Sequence, residues 1–204
     1  MFEFSDDPII IVEKLLDSAI YIIDDFYKNP KEVHDYLFSN RAPLHKINEI
    51  PTWNNVYFED RRMGVDDKRI KYVIDYMSRI ISQKPYSYRL STNQTRFYKE
   101  DFNDFENCHW VPHQDVGYNG IIYFNEDGEN GTNLYHQIIE QEDVNEHFKP
   151  WRSKKDYKVL KHVEPKYNRL VLFDGCKFLH GMNIINDRYF SDEYRKNQVF
   201  FFTK

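Results

Sequence analysis

The chain is 204 residues long with 41% hydrophobic and 17% aromatic content, enough apolar surface for one packed domain and too little length for two comfortable ones. A net charge of -5 is spread along the sequence rather than gathered in a tail, and no Lys/Arg block interleaves with aromatics, so no nucleic-acid partner is expected. No apolar run approaches the roughly 18 to 20 residues that span a bilayer, and no secretory signal precedes the two cysteines, Cys108 and Cys176; one soluble, cytoplasmic domain over residues 1–204, with reduced thiols and no membrane partner, is the expectation.

Residues 1–85 read as support for the rest of the chain. Ala19-Ile20-Tyr21-Ile22-Ile23-Asp24-Asp25 is a short β-branched run closed by acids, which suits a buried strand. Asn29-Pro30-Lys31-Glu32-Val33 offers a capping residue, proline at the first helical position and Glu at the third, which predicts a helix from about Pro30 to Ser39. Residues 41–64, with Pro43, Pro51, Trp53 and Gly64, show no sustained period; one strand is expected at Asn55 to Glu59, and the aromatics are candidates for a substrate entrance. Ile70, Val73, Ile74, Met77, Ile80 and Ile81 recur at helical spacing behind Asp66 and Asp67. They predict an amphipathic helix of about five turns that buries its stripe against a sheet.

From Tyr86 the period changes to that of strands. Arg89 to Lys99, Gly120 to Glu126, Thr132 to His136, Lys158 to Val163, Asn168 to Asp174, Lys177 to Met182 and Asn197 to Thr203 are short β-rich runs separated by Gly, Asn, Asp or Pro. Glu126-Asp127-Gly128-Glu129-Asn130-Gly131 and Asp174-Gly175 carry the composition of hairpin loops. Many short strands at this spacing predict a mainly β fold of the jelly-roll or sandwich kind with flanking helices. Gln137 to Tyr157 breaks the pattern with charges and Trp151, and reads as an inserted loop or short helix.

The chemistry gathers at Cys108-His109-Trp110-Val111-Pro112-His113-Gln114-Asp115. On an extended chain His113 and Asp115 project from one face, and Pro112 argues against a helix here. Two such groups begin a metal site, but His162-Val163-Glu164 has the same form, so the pair alone is weak. His180 separates them: it lies far enough beyond Asp115 for several strands to return it, but within hairpin distance of Glu164. A core histidine satisfied by a backbone carbonyl is the plain alternative for His180. His109 would share a zinc ion with His113 only on a continuous helix, and is placed beside the site or on the surface. In Tyr194-Arg195-Lys196-Asn197-Gln198-Val199-Phe200-Phe201-Phe202 the period of two sets Arg195, Asn197, Val199 and Phe201 on one face. An inward Arg195 makes sense if it meets a carboxylate bidentately; a strand-end arginine reaching to water is the alternative. Arg188 and then Arg96 are the fallbacks.

Taken together these stretches resemble the iron(II)- and 2-oxoglutarate-dependent dioxygenases, and among them the prolyl-4-hydroxylase-like hydroxylases. The resemblance covers about residues 86 to 203 and is carried by Arg96-Phe97-Tyr98, His113-Gln114-Asp115, Ile122-Tyr123-Phe124-Asn125 with Gly131-Thr132-Asn133-Leu134-Tyr135, and Asn168-Arg169-Leu170-Val171-Leu172-Phe173 leading to His180. It implies a double-stranded β-helix (cupin-like) over residues 86–204, with the N-terminal helices as a buttress outside its larger sheet. It implies that His113, Asp115 and His180 bind Fe(II) and that 2-oxoglutarate chelates the iron, leaving a position for O2. Arg195 would pair with the distal carboxylate, helped by the Tyr123 hydroxyl and Asn197, and Tyr98 would approach the metal or cosubstrate from the neighbouring strand. The implied reaction hydroxylates a C–H bond of a peptide side chain, amino acid or small metabolite, with release of succinate and CO2.

The chain departs from the family pattern in two places. The interval from His180 to Arg195 is longer than usual, so either a loop within Asn186 to Glu193 is extruded or Arg188 takes the role. The usual paired glycines are reduced to Asn130-Gly131. Two other functions stay open on the residues: a cupin-like metal enzyme that does not use 2-oxoglutarate, in which Arg195 and Tyr123 would not converge near the metal, and a non-catalytic jelly-roll binding module in which no ordered metal sits at His113, Asp115 and His180. Trp53, Tyr57, Trp151 and Arg152 are the candidate substrate-recognition residues, because loops near a jelly-roll mouth carry specificity.

Overall fold

The computed structural model describes residues 2–39, 56–62, 67–84, 86–126, 128–139 and 150–203, with 56–62 as backbone. In chain order the elements are β1 (Ile9–Leu15), β2 (Ser18–Asp24), α1 (Pro30–Leu37), β3 (Val56–Arg62), α2 (Lys68–Ile80), β4 (Ser87–Phe97), β5 (Cys108–Trp110), β6 (Tyr118–Tyr123), β7 (Thr132–Gln137), β8 (Trp151–Ser153), β9 (Tyr157–Val163), β10 (Leu170–Asp174), β11 (Leu179–Met182) and β12 (Arg195–Thr203). The strands form a large antiparallel sheet in the order β1-β2-β10-β6-β12-β4-β3, a small sheet β11-β7-β9, and the pair β5-β8. From β4 onward the chain alternates between the two main sheets: β6 in the large, β7 and β9 in the small, β10 in the large, β11 in the small, β12 in the large. The protein is thus mainly β with two helices among the described residues, wound in the jelly-roll manner.

The period of two sorts the large sheet into two chemically different faces. Ile23, Ile122, Leu170, Leu172, Leu90, Phe200 and Phe202 point one way and share a cluster with Val33 and Leu37 of α1 and Ile70, Val73, Ile74 and Met77 of α2. Their neighbours Ile20, Ile22, Ile121, Tyr123, Val171 and Phe173 point the other way and meet Leu134 and Val163 of the small sheet. At about 2 kcal/mol for each fully buried aliphatic side chain, the four core residues of α2 are what hold that helix in place. A third cluster, with Phe97, Trp110, Val111, Met182 and Phe190 at its centre, closes the end of the barrel beside β5 and β8.

Several local expectations are corrected. Asn29 makes no side-chain cap bond, so α1 starts on Pro30 alone. Helix α2 has 13 residues, nearer to four turns than five, because Asp67 caps it and Ser82 leaves it with φ 54°. The Glu126–Gly131 and Asp174-Gly175 segments are not hairpin loops: each joins a strand of the large sheet to one of the small. Such turn residues bend the chain equally well at a corner. The 186–193 segment is not simply extruded, since Tyr189 and Phe190 are buried and Phe190 stacks on Phe97 at 4.9 Å. Strand β1 was not anticipated; it is the edge of the large sheet, and Ile9, Ile10, Ile11 and Val12 are exposed there. Residues 40–55, with Trp53, lie outside the described residues, as does the Tyr57 side chain. No described helix is long and apolar enough to cross a membrane, and Cys108 and Cys176 are unbridged.

An ion-pair cluster ties the end of β2 to the turn before β10. Asp24 is buried and accepts from Arg169 through Nε at 2.5 Å and Nη2 at 3.0 Å, and from Lys166 Nζ at 3.0 Å. Arg169 above all, with Lys166, outweighs burial and holds the Asp24 carboxyl below its ordinary range. A carboxyl lowered in the folded state stabilises the fold above its unfolded pKa of about 3.9, and that stability is lost as the pH falls through the folded value. Removing one partner of such a buried pair costs about 3 kcal/mol. Asp24→Ala is therefore predicted to lower stability in urea unfolding at pH 7 by that order, with the gap to the unaltered protein narrowing below about pH 4. A gap that stays constant with pH would contradict this assignment.

Candidate metal centre

His113, Asp115 and His180 meet. Their ligand atoms all lie within 4.8 Å of one another, the only such His/Cys/Asp/Glu group among the described residues. His180 Nε2 is 3.3 Å and His113 Nε2 3.9 Å from Asp115 Oδ2, and the two imidazole centroids are 4.3 Å apart. Two nitrogens and a carboxylate oxygen converging from one side form the donor set suited to a divalent transition metal with open positions, non-haem iron(II) among them.

The backbone builds this geometry. His113 and His180 form an isolated antiparallel bridge, with His113 N–H donating to His180 O at 3.0 Å and His180 N–H to His113 O at 2.7 Å. Gly181 makes the approach possible: a Cβ there would stand 2.6 Å from Trp110 O and 3.0 Å from Val111 O. Val111, with φ 39°, adopts a conformation that β-branched residues rarely take, and turns the chain from β5 into Pro112-His113. Its carbonyl is 2.8 Å from His113 Nδ1; donation from Nδ1 leaves the Nε2 lone pair for a metal. His180 is buried with Phe173 against its ring at 4.9 Å, and its Nδ1 has no hydrogen-bond partner. Burial resists ionisation of Asp115, but His180, His113 and the Asn119 amide together outweigh it and hold the carboxyl down at about 2. Asp115 is therefore anionic throughout the neutral range.

The rival pair does not assemble. His162 Nδ1 is 2.7 Å from Asn133 Oδ1, on the side of β7 opposite to Leu134, so it faces away from the barrel interior. His109 is buried against Tyr135 at 4.6 Å; burial and then Lys154 push its pKa down to about 4, which keeps it neutral.

Arg195 and Asn197 lie on the inner face of β12, where Asn197 pairs with Tyr123 of β6 and with Asn93 of β4. The Arg195 guanidinium carbon is 5.9 Å from the Tyr123 ring centroid. Arg195 is half-buried by exposed area yet deep enough within protein that desolvation lowers its pKa, against the opposing influence of Tyr123 and Tyr189. A group can keep accessible area inside a cavity and still lose bulk water. Among the described residues no carboxylate pairs with it. Arg188, by contrast, engages Glu193 at 2.5 Å, and Arg96 engages Asp192 at 3.4 Å. The Tyr123 hydroxyl donates to Thr132 Oγ1 at 2.7 Å, bridging the two sheets, and Asn197 Oδ1 is buried without a partner. Tyr98 directly follows β4, is half-buried, and has the parity of Arg96, opposite to that of Asn93 and Thr95. Trp151 and Arg152 are not an open surface: Trp151 packs on Trp110 at 4.9 Å and donates to Asp101 O at 2.8 Å, and Arg152 is buried in β8.

One group at the centre was missed from the sequence. Asn119 Nδ2 lies 2.6 Å from Asp115 Oδ2 and 3.3 Å from His180 Nε2. Its signal was the parity it shares with Ile121 and Tyr123 along β6.

No protein-family model matches the chain, and no curated protein matches it in sequence. Its fold is similar to three solved structures of 2-oxoglutarate/Fe(II) oxygenases. An oxidoreductase of the 2OG-Fe(II) oxygenase family from Burkholderia pseudomallei has TM-score 0.47 and 11% identity, with 87% of this chain and 79% of that one covered. A Pseudomonas putida prolyl-4-hydroxylase has TM-score 0.40 and 10% identity, covering 80% and 76%. The Fe(II)/α-ketoglutarate-dependent dioxygenase TqaL has TM-score 0.42 and 10% identity, covering 86% and 73%. At such identities only the site's own residues speak to function.

Metal binding by the unloaded protein is the direct check. Asp115→Ala is predicted to abolish Co(II) binding in calorimetric titration, and Gly181→Ala, by prising β11 from the His113 segment, to weaken it about tenfold or more. Unchanged binding in both variants would place the cation elsewhere.

Proposed function

We propose that the protein is an Fe(II)- and 2-oxoglutarate-dependent oxygenase that hydroxylates a C–H bond of a peptide side chain, amino acid or small metabolite. The observation that carries this is the pairing of a two-histidine, one-carboxylate cluster with Arg195, a desolvated guanidinium that no described carboxylate neutralises. A buried cation without a counter-ion costs several kcal/mol, and an anionic ligand in the same interior relieves it. The cupin-like alternative predicts that Arg195 and Tyr123 do not converge near the metal; the placement of both on the inward-facing parity of β12 and β6, with the guanidinium 5.9 Å from the Tyr123 ring centroid, supports the oxygenase reading.

The donor set fits the cation. His113 Nε2, His180 Nε2 and one Asp115 oxygen would hold Fe(II), which with 2-oxoglutarate and O2 would supply the oxidising chemistry, releasing succinate and CO2. The remaining work falls to side chains. Arg195 would accept the far carboxylate of 2-oxoglutarate through paired N–H donors, with its charge balanced there rather than by the protein. Tyr123 holds the guanidinium from below while its hydroxyl is fixed on Thr132, and Asn197, beside it on the same face, has an unsatisfied amide oxygen to order the ligand or a water. Val111 O keeps the His113 ring in register. Tyr98 is assigned to the approach to the metal on the resemblance alone.

Anaerobic addition of Fe(II) and 2-oxoglutarate is predicted to give a visible metal-to-ligand charge-transfer band, absent in Asp115→Ala. Arg195→Met should weaken 2-oxoglutarate binding about 100-fold, the equivalent of two charge-assisted hydrogen bonds, while leaving Co(II) affinity intact. Iron binding without the band would favour the cupin-like reading, and no iron binding the non-catalytic one.

A further inference from the structure

We propose that Asn119 is a fourth group of the metal centre, a positioning residue whose carboxamide faces the cation site from β6 and aims Asp115 and His180 at it. The inference rests on the metal reading above. Asn119 is buried, and its Nδ2 approaches Asp115 Oδ2 at 2.6 Å and His180 Nε2 at 3.3 Å. These two atoms are themselves 3.3 Å apart, so the amide nitrogen sits against the same ligand atoms that a cation would contact. Its two hydrogens can serve both atoms when Asp115 Oδ2 offers a lone pair and His180 carries its proton on Nδ1. That is also the state in which both can bind a metal. In that arrangement the carboxamide nitrogen holds the two ligand atoms that a cation would meet. The reverse orientation would set an amide oxygen against the carboxylate oxygen.

The other end of the side chain supplies an independent observation. Asn119 Oδ1 is buried and has no hydrogen-bond partner; it rests against Gly175, where a Cβ would stand 2.9 Å from it. Buried polar atoms are almost always satisfied, and an orphan calls for an explanation such as an ion. A cation between Asp115 and His180 removes the need for the donors and favours the oxygen; the absent Cβ of Gly175 is what accommodates the carboxamide there, and its two ends are nearly equal in size. Asn119 would then donate to the ligands when the site holds no cation and present its oxygen when it does.

Co(II), without 2-oxoglutarate or O2, is the probe. Asn119→Leu, of similar size, is expected to lower Co(II) affinity roughly 10- to 100-fold and to shift the visible d–d bands of the bound ion, a change that a purely structural role would not produce. Unchanged affinity and bands would overturn the proposal. Should Asn119→Leu fail to fold, Asn119→Asp, nearly identical in shape, decides: an added anionic oxygen facing the cation should tighten Co(II) binding, and equal or weaker binding would overturn the proposal. If the unaltered protein takes up no Co(II), the metal reading itself fails, an outcome distinct from a failure at Asn119 alone.

Discussion

Everything chemical in this protein depends on two backbone hydrogen bonds, those between His113 and His180 at 3.0 and 2.7 Å. They are not part of a regular strand pair but an isolated bridge, so nothing in a sheet ladder guarantees them. Their support comes from either side. Strand β11 is fixed in register on β7, with His180 opposite Leu134, and the His113 segment is pressed in by Trp110 and Val111, which pack with Met182 and Phe190. The strained φ of Val111 and the absent side chain of Gly181 are the local costs of bringing two chain segments this close. Because both imidazoles hang from that bridge, the site is rigid only as far as the third cluster is well packed.

The second constraint is the partition of the large sheet. One face is closed by apolar contacts with α1 and α2, which lets the opposite face carry Asn119, Tyr123, Arg195 and Asn197 without loss of the core that holds the sheet together. Concentrating hydrophobic stabilisation on the helix side separates stability from chemistry: interior polar groups, some of them unsatisfied, are tolerated because the helix-facing core offsets them.

Parity made the centre readable from the sequence. His113 and Asp115 two apart beyond a proline, Arg195 and Asn197 two apart on the last strand, and Tyr123 on a third run all followed from the period of a strand, and the structure turns each pair inward. Order along the chain, with His180 as the returning third group, was enough to prefer His113 and Asp115 over the rival pair at His162, whose ring is spent on Asn133. What stayed hidden depended on pairing between distant segments. The turn at Asp174-Gly175 has the same composition whether it closes a hairpin or crosses between sheets. Nothing local in Trp151-Arg152-Ser153 shows that it pairs with Cys108–Trp110. Asn119 could be placed on the inner face by parity, but only three-dimensional contact shows that its amide reaches both Asp115 and His180.

Four of the described arginine side chains pair with carboxylates, while Arg195, like Arg79, Arg89 and Arg152, has no described carboxylate partner. Arg169 is taken by Asp24, Arg188 by Glu193 and Glu129, Arg96 by Asp192, and Arg69 by Asp67. In a chain where acids outnumber bases, 33 to 28, a carboxylate near Arg195 would not be scarce. Its position is instead furnished with an aromatic ring, a hydroxyl held on Thr132 and a neutral amide, none of which can cancel the charge. An aromatic face stabilises a guanidinium by about 1 kcal/mol without competing for its N–H donors, so the fork stays available for a bidentate acceptor. A carboxylate from the protein would have stabilised the empty barrel more and bound an anion less. On the function proposed above, an Arg195 without a described carboxylate partner would lower the stability of the unliganded protein in favour of an affinity that appears only when an anion enters, which is the behaviour expected of a binding residue rather than of a structural one.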